Sequence, residues 1–168
     1  MTVGSSTVLQ YKDIMKILVY GTLRKNCGND RLLLGSEFIG TVSVKGYYMF
    51  SNLAFPYAIP SSWVRTREPI SDVIVGEIYD INDETLAALD KLEGVAYGHY
   101  TREAVIGMPD TQMYIPTNVR DVVTNSYLVP SGDWHDGAAE AERMMEEYFA
   151  KYPDKRKQYE DEQAAAGL

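Results

Sequence analysis

The feature that most constrains the fold of this chain is a series of short apolar runs, rich in β-branched and aromatic residues, separated by glycines and turn residues. Runs of this length and composition are typical of β-strands. The segment 107–120 contains two prolines and is predicted to be a long hairpin connection or to carry a small extra strand. The strands are expected at Lys16–Tyr20, Phe38–Val44, Gly46–Phe50, Val73–Tyr79, Tyr100–Ile106 and Asp121–Val129.

One clear helical pattern interrupts these runs. Residues 83–93 place three leucines on one side, begin with acidic residues that suit a helix N-terminus, and are followed by Gly94, which can end a helix in the left-handed conformation. Asn82 or Asp83 can cap this helix, and a shorter helix is expected at Asn29–Leu34. Because strands and helices do not alternate regularly, the patterns favour an α+β fold over a doubly wound parallel sheet.

The two ends of the chain differ from the middle. Residues 1–14 lack the basic and apolar regions of a secretory signal, and they are predicted to be a flexible N-terminal extension. From Gly137 to Pro153 apolar residues recur at helical spacing, and a charged tail follows. The sequence therefore predicts an extension at 1–14, one domain at 15–136, and a C-terminal helix with a charged tail at 137–168.

Charge and composition exclude several functions. The 168 residues carry a formal net charge of −8, which repels phosphates and disfavours nucleic-acid binding. The single cysteine, Cys27, permits no internal disulfide and has no basic neighbour that would activate it. Neither His99 nor His135 has partners at metal-ligand spacing, so no metal site is expected. The sequence contains no run of about 18 apolar residues, so no membrane span is expected.

The first motif that can carry chemistry is Tyr20-Gly21-Thr22-Leu23-Arg24, directly after the first predicted strand. A glycine at this point lets the backbone turn sharply, and successive N–H groups in such a turn can hold an anion such as a carboxylate. An ordinary strand-to-loop turn has the same pattern. Arg24 either adds to the anion site or points to solvent.

The second motif is LDKLEGV at Leu89–Val95, with Tyr100 and Arg102 downstream. Glu93 lies in the last turn of its helix, where the helix dipole disfavours a negative charge. The same potential raises the proton affinity of a carboxylate, which suits a general base that works near neutral pH. A solvated glutamate at a helix end is the alternative, and Arg102 beside an acidic neighbour is more simply structural.

Together, VYGTLR, LDKLEGV and the following YTR resemble the motifs of the gamma-glutamylcyclotransferase-like superfamily, and the YGTL spelling is closest to its gamma-glutamylaminecyclotransferase-like branch. The resemblance covers about Met15 to Asp136, and it includes Trp134, which is similar to a late wall of the family's pocket. It implies a small, mixed, closed β-barrel flanked by helices, in the α+β class.

The resemblance also implies a chemistry. Members convert a gamma-glutamyl compound into 5-oxoproline and a free amine or amino acid, and no metal or organic cofactor takes part. The expected partner is thus a small-molecule gamma-glutamyl substrate, with no nucleic acid and no membrane, in a cytoplasmic protein of open oligomeric state. The implied site residues are the catalytic Glu93, the anion-holding Tyr20, Gly21, Thr22 and Leu23, and the pocket walls Tyr100 and Trp134.

Two other functions stay open from the sequence. A protein of this fold can keep the pocket without turnover, as a binding module for a small carboxylate or an amino-acid derivative. Alternatively, the acidic C-terminal helix and tail would bind a basic partner protein. The identity of the leaving amine is not encoded in either motif.

Overall fold

The computed structural model describes residues 14–66 and 70–165, so residues 1–13 of the predicted extension lie outside the described residues. The strands are β1 (Met15–Val19), β2 (Glu37–Lys45), β3 (Tyr47–Ser51), β4 (Pro56–Pro60), β5 (Val73–Ile81), β6 (Tyr100–Val105), β7 (Met108–Pro116) and β8 (Tyr127–Leu128). The helices are α1 (Asp83–Leu92), α2 (Val119–Asn125), α3 (Trp134–Lys151) and α4 (Pro153–Ala165), with 3₁₀ turns at Asp30–Leu33, Ser61–Trp63 and Val95–Tyr97. None of the helices in these ranges has the length and hydropathy needed to cross a bilayer.

Strand β1 lies at the centre of a five-stranded sheet of order β2-β5-β1-β7-β6. It pairs with β5 in antiparallel and with β7 in parallel orientation. Both of its faces are covered, since Leu18 packs into one core cluster and Ile17 and Val19 pack into another. Burial on both faces explains why this strand is a continuous apolar run rather than an alternating one. The loop that follows β1 therefore begins in the middle of the molecule.

The predicted closed barrel is not found. Within the described ranges the strands form two separate sheets, because β3, β4 and β8 make a second sheet of order β4-β3-β8. Consecutive strands β2 and β3 do not pair, since the chain changes direction at Gly46, which has a φ of 107°. The α+β class is confirmed, with helices and two mainly antiparallel sheets.

The segment after residue 106 differs most from the sequence prediction. The expected connection at 107–120 contains the nine-residue strand β7, which pairs with both β1 and β6. The expected strand at Asp121–Val129 instead forms most of α2 and the short β8. Asn118 caps α2 by accepting a hydrogen bond from the Asp121 N–H at 3.2 Å, and such a local cap starts a helix despite β-branched valines inside it.

The C-terminal region is helical through Ala165. Helix α3 begins at Trp134, three residues earlier than the sequence pattern indicated, because Asp133 caps it by accepting from the His135 N–H at 3.0 Å. Helix α4 packs back on α3 through the rings of Tyr159 and Phe149, whose centroids are 5.4 Å apart. The charged tail is thus a second helix held by an aromatic contact.

Candidate active site

A cavity of about 290 Å³ opens where β1 ends. Its walls come from the loop after β1, the β3–β4 loop, the end of α1 and the strand β7. Its volume is at the small end of the range for small-molecule pockets. The lining residues are Leu18, Val19, Tyr20, Gly21, Thr22, Leu23, Asn29, Phe55, Pro56, Leu92, Glu93, His99, Tyr100 and Tyr114.

This cavity joins the two sequence motifs. Glu93 and Tyr100 line it together with the whole of the predicted anion loop, residues 20–23. Trp134 does not line it and is a correction to the sequence prediction. Its ring is 4% exposed, belongs to the core, and lies so close to Gly137 that a Cβ there would be 2.8 Å from the ring. Because α3 starts at Trp134, the first helical turn directs the ring into the core.

The loop after β1 is a compact turn with unused donors. The Arg24 N–H donates to the Gly21 carbonyl at 2.9 Å, and Asn29 fixes Thr22 through both its backbone N–H and its side-chain amide. Among the described residues, none accepts a hydrogen bond from the N–H of Gly21, Thr22 or Leu23. Buried backbone donors nearly always have a partner, and a run of free N–H groups in a turn forms an anion site.

Gly21 is required by close packing against Pro56, the first residue of β4. A Cβ at this position would lie 2.7 Å from the Pro56 Cγ, which is closer than carbon atoms approach without displacement. Pro56 also lines the cavity. The proline ring therefore packs against the turn and fixes one wall, a contact that neither motif revealed.

A buried ionic network holds the same loop from behind. Glu77, on β5, is 4% exposed and accepts hydrogen bonds of 2.9 Å from the Arg24 Nε, the Lys25 N–H and the Tyr79 hydroxyl. Arg24, also 4% exposed, donates in addition to the Asp133 carboxylate at 2.7 Å. Arg24 thus neither points to solvent nor lines the cavity; it fixes the shape of the turn.

Helix α1 delivers Glu93 to the cavity. Asn82 caps the start of the helix, as predicted, by accepting from the Thr85 N–H at 2.8 Å. Glu93 is the C-cap, and Gly94 follows with a φ of 64°, the left-handed conformation that the sequence analysis expected there. A Cβ at Gly94 would also lie 2.6 Å from the His99 Nδ1. Both backbone conformation and packing therefore require glycine beside Glu93.

The environment of Glu93 is unusual for a carboxylate. Burial raises the pKa of Glu93 to about 7. No other side chain in residues 14–66 or 70–165 forms a hydrogen bond or ion pair with this carboxylate, and the cause of the raised pKa is burial. A carboxylate that is partly ionised at neutral pH can accept a proton and return it.

Tyrosines surround Glu93. The Tyr20 hydroxyl donates to the Tyr114 carbonyl at 2.7 Å, and Tyr100 stacks on Tyr57 with ring centroids 6.0 Å apart. Burial and then the charge of Glu93 raise the pKa of Tyr20. The pKa of Tyr100 is also raised, mainly by burial and then by the charges of Tyr20 and Glu93. These phenols therefore stay protonated and close to the Glu93 carboxylate.

Tyr114 is a lining residue that was not predicted from the sequence, because it lies on β7, whose length and position in the sheet between β1 and β6 were not predicted. Its hydroxyl donates to the Asp90 carboxylate at 2.6 Å. Arg102 Nε lies 3.0 Å from the same carboxylate as an ion pair, although its N–H is not directed at the oxygen. Arg102 is therefore structural, as the sequence analysis favoured. The described part of the chain contains no cluster of three or more His, Cys, Asp or Glu residues that could hold a metal ion.

The chain is similar to known proteins over most of its length. Over 122 residues the chain is 32% identical to the Gamma-glutamylcyclotransferase family protein YtfP of Escherichia coli, a match that covers 73% of this chain and 97% of the relative. The solution structure of Escherichia coli ytfP superposes with a TM-score of 0.54 and 31% identity, covering 71% of this chain and 96% of that one. Protein PH0828 of Pyrococcus horikoshii shares the fold, with a TM-score of 0.54, 21% identity, and coverage of 77% and 97%. The family model for gamma-glutamyl cyclotransferases of the AIG2-like type matches residues 17–136. The chain therefore belongs to the AIG2-like gamma-glutamyl cyclotransferase family.

Proposed function

We propose that this chain is an enzyme that cyclises a gamma-glutamyl compound to 5-oxoproline and releases an amine or an amino acid. The single observation that carries the proposal is the position of Glu93. Its carboxylate has no partner within residues 14–66 and 70–165, has a pKa of about 7, and lies in the same cavity as the N–H groups of residues 21–23, which no described residue accepts from. Family membership supports the same class of activity.

Substrate binding is assigned to the turn after β1. The α-carboxylate of the glutamyl group accepts from the N–H groups of Gly21, Thr22 and Leu23, which compensates for the protein's net charge of −8 at this point. The substrate carries both its nucleophile, the α-amino group, and its electrophile, the γ-carbonyl carbon. The enzyme therefore accelerates ring closure by holding the two ends together.

Proton transfer is assigned to Glu93. Its carboxylate takes a proton from the α-ammonium group, and the free amine attacks the γ-carbonyl carbon, forming the new C–N bond of the ring. The resulting oxyanion is stabilised by nearby N–H or hydroxyl donors. Glu93 then delivers its proton to the departing nitrogen as the old C–N bond breaks. The ring nitrogen still carries one surplus proton, which Glu93 takes up and passes to the released amine, so 5-oxoproline and an ammonium ion leave and Glu93 is again ionised.

The decisive experiment incubates the purified protein with a panel of gamma-glutamyl amines and gamma-glutamyl dipeptides and measures 5-oxoproline by mass spectrometry. We expect release from at least one compound, with kcat/KM rising as the pH passes through about 7, because the base must be ionised. Binding of the compounds without release of 5-oxoproline would instead support the binding module. If the protein neither binds nor cleaves any compound of the panel, the proposal is overturned.

A further inference from the structure

We propose that the amine released by this enzyme carries an uncharged, apolar substituent, such as an alkyl or aryl group. The inference rests on the proposed function and specifies its substrate class. It is drawn from the mouth of the cavity, a region that neither sequence motif describes.

The mouth is identified by exposure. Leu18 and Leu23, at the inner wall, are 0% and 3% exposed, whereas Phe55 and Leu92 are 38% and 43% exposed although they line the same cavity. With the α-carboxylate on the turn at 20–23 and the γ-carbonyl at Glu93, the leaving group extends towards these two side chains. Partly exposed apolar side chains at a cavity mouth are typical of surfaces that a ligand covers.

The aromatic wall extends this apolar surface. Tyr100 stacks nearly parallel to Tyr57, with an angle of 15° between their rings. Phe55 packs edge-on against Tyr57, with ring centroids 5.4 Å apart. An apolar substituent that lies along Phe55 and Tyr100 would remove apolar surface from water on both molecules.

The lining also offers few partners for a charged leaving group. Among the described lining residues, Glu93 is the single acidic group, His99 is the single basic side chain, and no lysine or arginine is present. The two arginines nearest the motifs are occupied: Arg24 pairs with Glu77, and Arg102 pairs with Asp90. A second carboxylate on the substrate would meet only His99, and an ammonium group only Glu93, which is assigned to proton transfer, so a charged leaving group would lose water with little compensation.

Two electrostatic effects favour a cationic leaving group and therefore oppose the inference. The net charge of −8 attracts cations to the protein. The faces of Phe55 and Tyr100 also attract an ammonium group by cation–π interaction. Preference for a cationic leaving group is therefore the outcome that opposes the inference most directly.

The experiment compares three gamma-glutamyl amides of similar length, made with n-pentylamine, 1,4-diaminobutane and 4-aminobutanoic acid. These leaving groups end in a methyl, an ammonium and a carboxylate group. We expect kcat/KM for the pentylamide to exceed that for each charged homologue by at least 10-fold. Equal values, or a higher value for either charged compound, would overturn the inference while leaving the proposed function intact.

Variants connect this preference to the mouth. Leu92→Ser and Phe55→Ser should each reduce the ratio of kcat/KM for the pentylamide over the diaminobutane amide at least 3-fold. Leu34→Ser is the matched control, because Leu34 is 82% exposed and does not line the cavity. A ratio unchanged in both test variants would contradict the assignment of the mouth.

If none of the three amides is turned over, the wider panel of gamma-glutamyl compounds still decides the proposed function, and calorimetric binding of the three amides decides the inference separately. Tighter binding of the pentylamide than of both charged homologues supports an apolar subsite. Absence of binding, or tighter binding of a charged compound, overturns it.

Discussion

Two glutamates of this molecule have opposite surroundings. Glu77 is 4% exposed and accepts from a guanidinium, a backbone N–H and a phenol. Glu93 borders the cavity, has no side-chain partner among the described residues, and has a pKa raised to about 7 by burial. Glu77 holds the turn after β1 from behind, whereas Glu93 lines the same cavity as that turn. The contrast teaches that hydrogen-bond donors give a carboxylate a structural role, whereas burial without donors raises its proton affinity.

The strongest test of this contrast is Glu93→Gln. Glutamine keeps the shape of the side chain but accepts no proton at neutral pH, so turnover should fall by about 10²–10⁴-fold, the usual range for a positioned acid–base group. Substrate affinity should change much less, because the substrate carboxylate is assigned to backbone N–H groups of another segment. Release of 5-oxoproline and calorimetric binding measure the two effects.

The control is Glu84→Gln, the same substitution at an exposed position on α1. It should retain the activity of the native protein. Normal turnover by the Glu93 variant would show that the mechanism proposed for Glu93 is wrong.

The same substitution at Glu77 should act on stability instead. Glu77→Gln removes the negative charge from a buried ion pair and leaves Arg24 with Asp133 as its remaining partner. We expect the free energy of unfolding to fall by about 3 kcal/mol, the lower end for breaking a buried pair. Urea denaturation measures this loss, and an undiminished stability would show that the network does not hold the turn.

The pH dependence of stability should separate the two glutamates further. The pKa of Glu93 in the folded protein, about 7, lies above its ordinary value of 4.5, so folding favours the protonated form. The stability from this group is complete below pH 4.5 and is lost as the pH rises through 7, by about 2–3 kcal/mol in total.

The measurement for this prediction is the difference in free energy of unfolding between Glu93→Gln and the native protein at pH 4.5 and at pH 8. Between pH 4.5 and pH 8 the free energy of unfolding of the variant should rise relative to that of the native protein by about this amount, because glutamine does not ionise. A difference that is independent of pH would contradict the raised pKa.

The smallest effect is expected where charges pair at the surface. Arg143 on α3 contacts both Glu140 and Glu147, and all three side chains are exposed. Arg143→Gln should leave the unfolding temperature unchanged within error, because exposed ion pairs add little to stability. A loss comparable with that of Glu77→Gln would mean that burial does not explain the difference between the two ion-pair networks.

The sequence predicted the features that depend on neighbouring residues. Three predictions depended on local signals. Asn82 caps its helix, Gly94 has the left-handed conformation, and the residues of the two motifs line one cavity, as expected. A small extra strand was one of two alternatives for 107–120, but the nine-residue length of β7 and its pairing with β1 were not predicted, because that pairing is not encoded in its own proline-bounded segment. Its residue Tyr114 was missed with it.

Partners that lie far apart in the sequence account for the remaining differences. Arg24 meets Glu77, 53 residues away, and this pairing could not be inferred from the loop itself. Trp134 was expected in the pocket on the basis of a resemblance alone, whereas the cap at Asp133 sets the start of α3 and buries the ring. The closed barrel was likewise implied by the resemblance alone and is not found, since the described strands form two separate sheets and the strand patterns do not specify which edges pair.

The central position of β1 has a consequence for how the chain folds. Ile17 is paired with Tyr79 on one side and with Gln112 on the other, so the first described strand has no complete set of neighbours until most of the chain is available. Closing such long loops is entropically unfavourable, and domains rich in distant pairings fold slowly, over milliseconds to seconds. During synthesis, β1 leaves the ribosome well before β7 and gains its second flanking strand only when β7 has emerged. Substitutions that weaken the pairing of β1 with β7 should therefore slow refolding and the recovery of activity together.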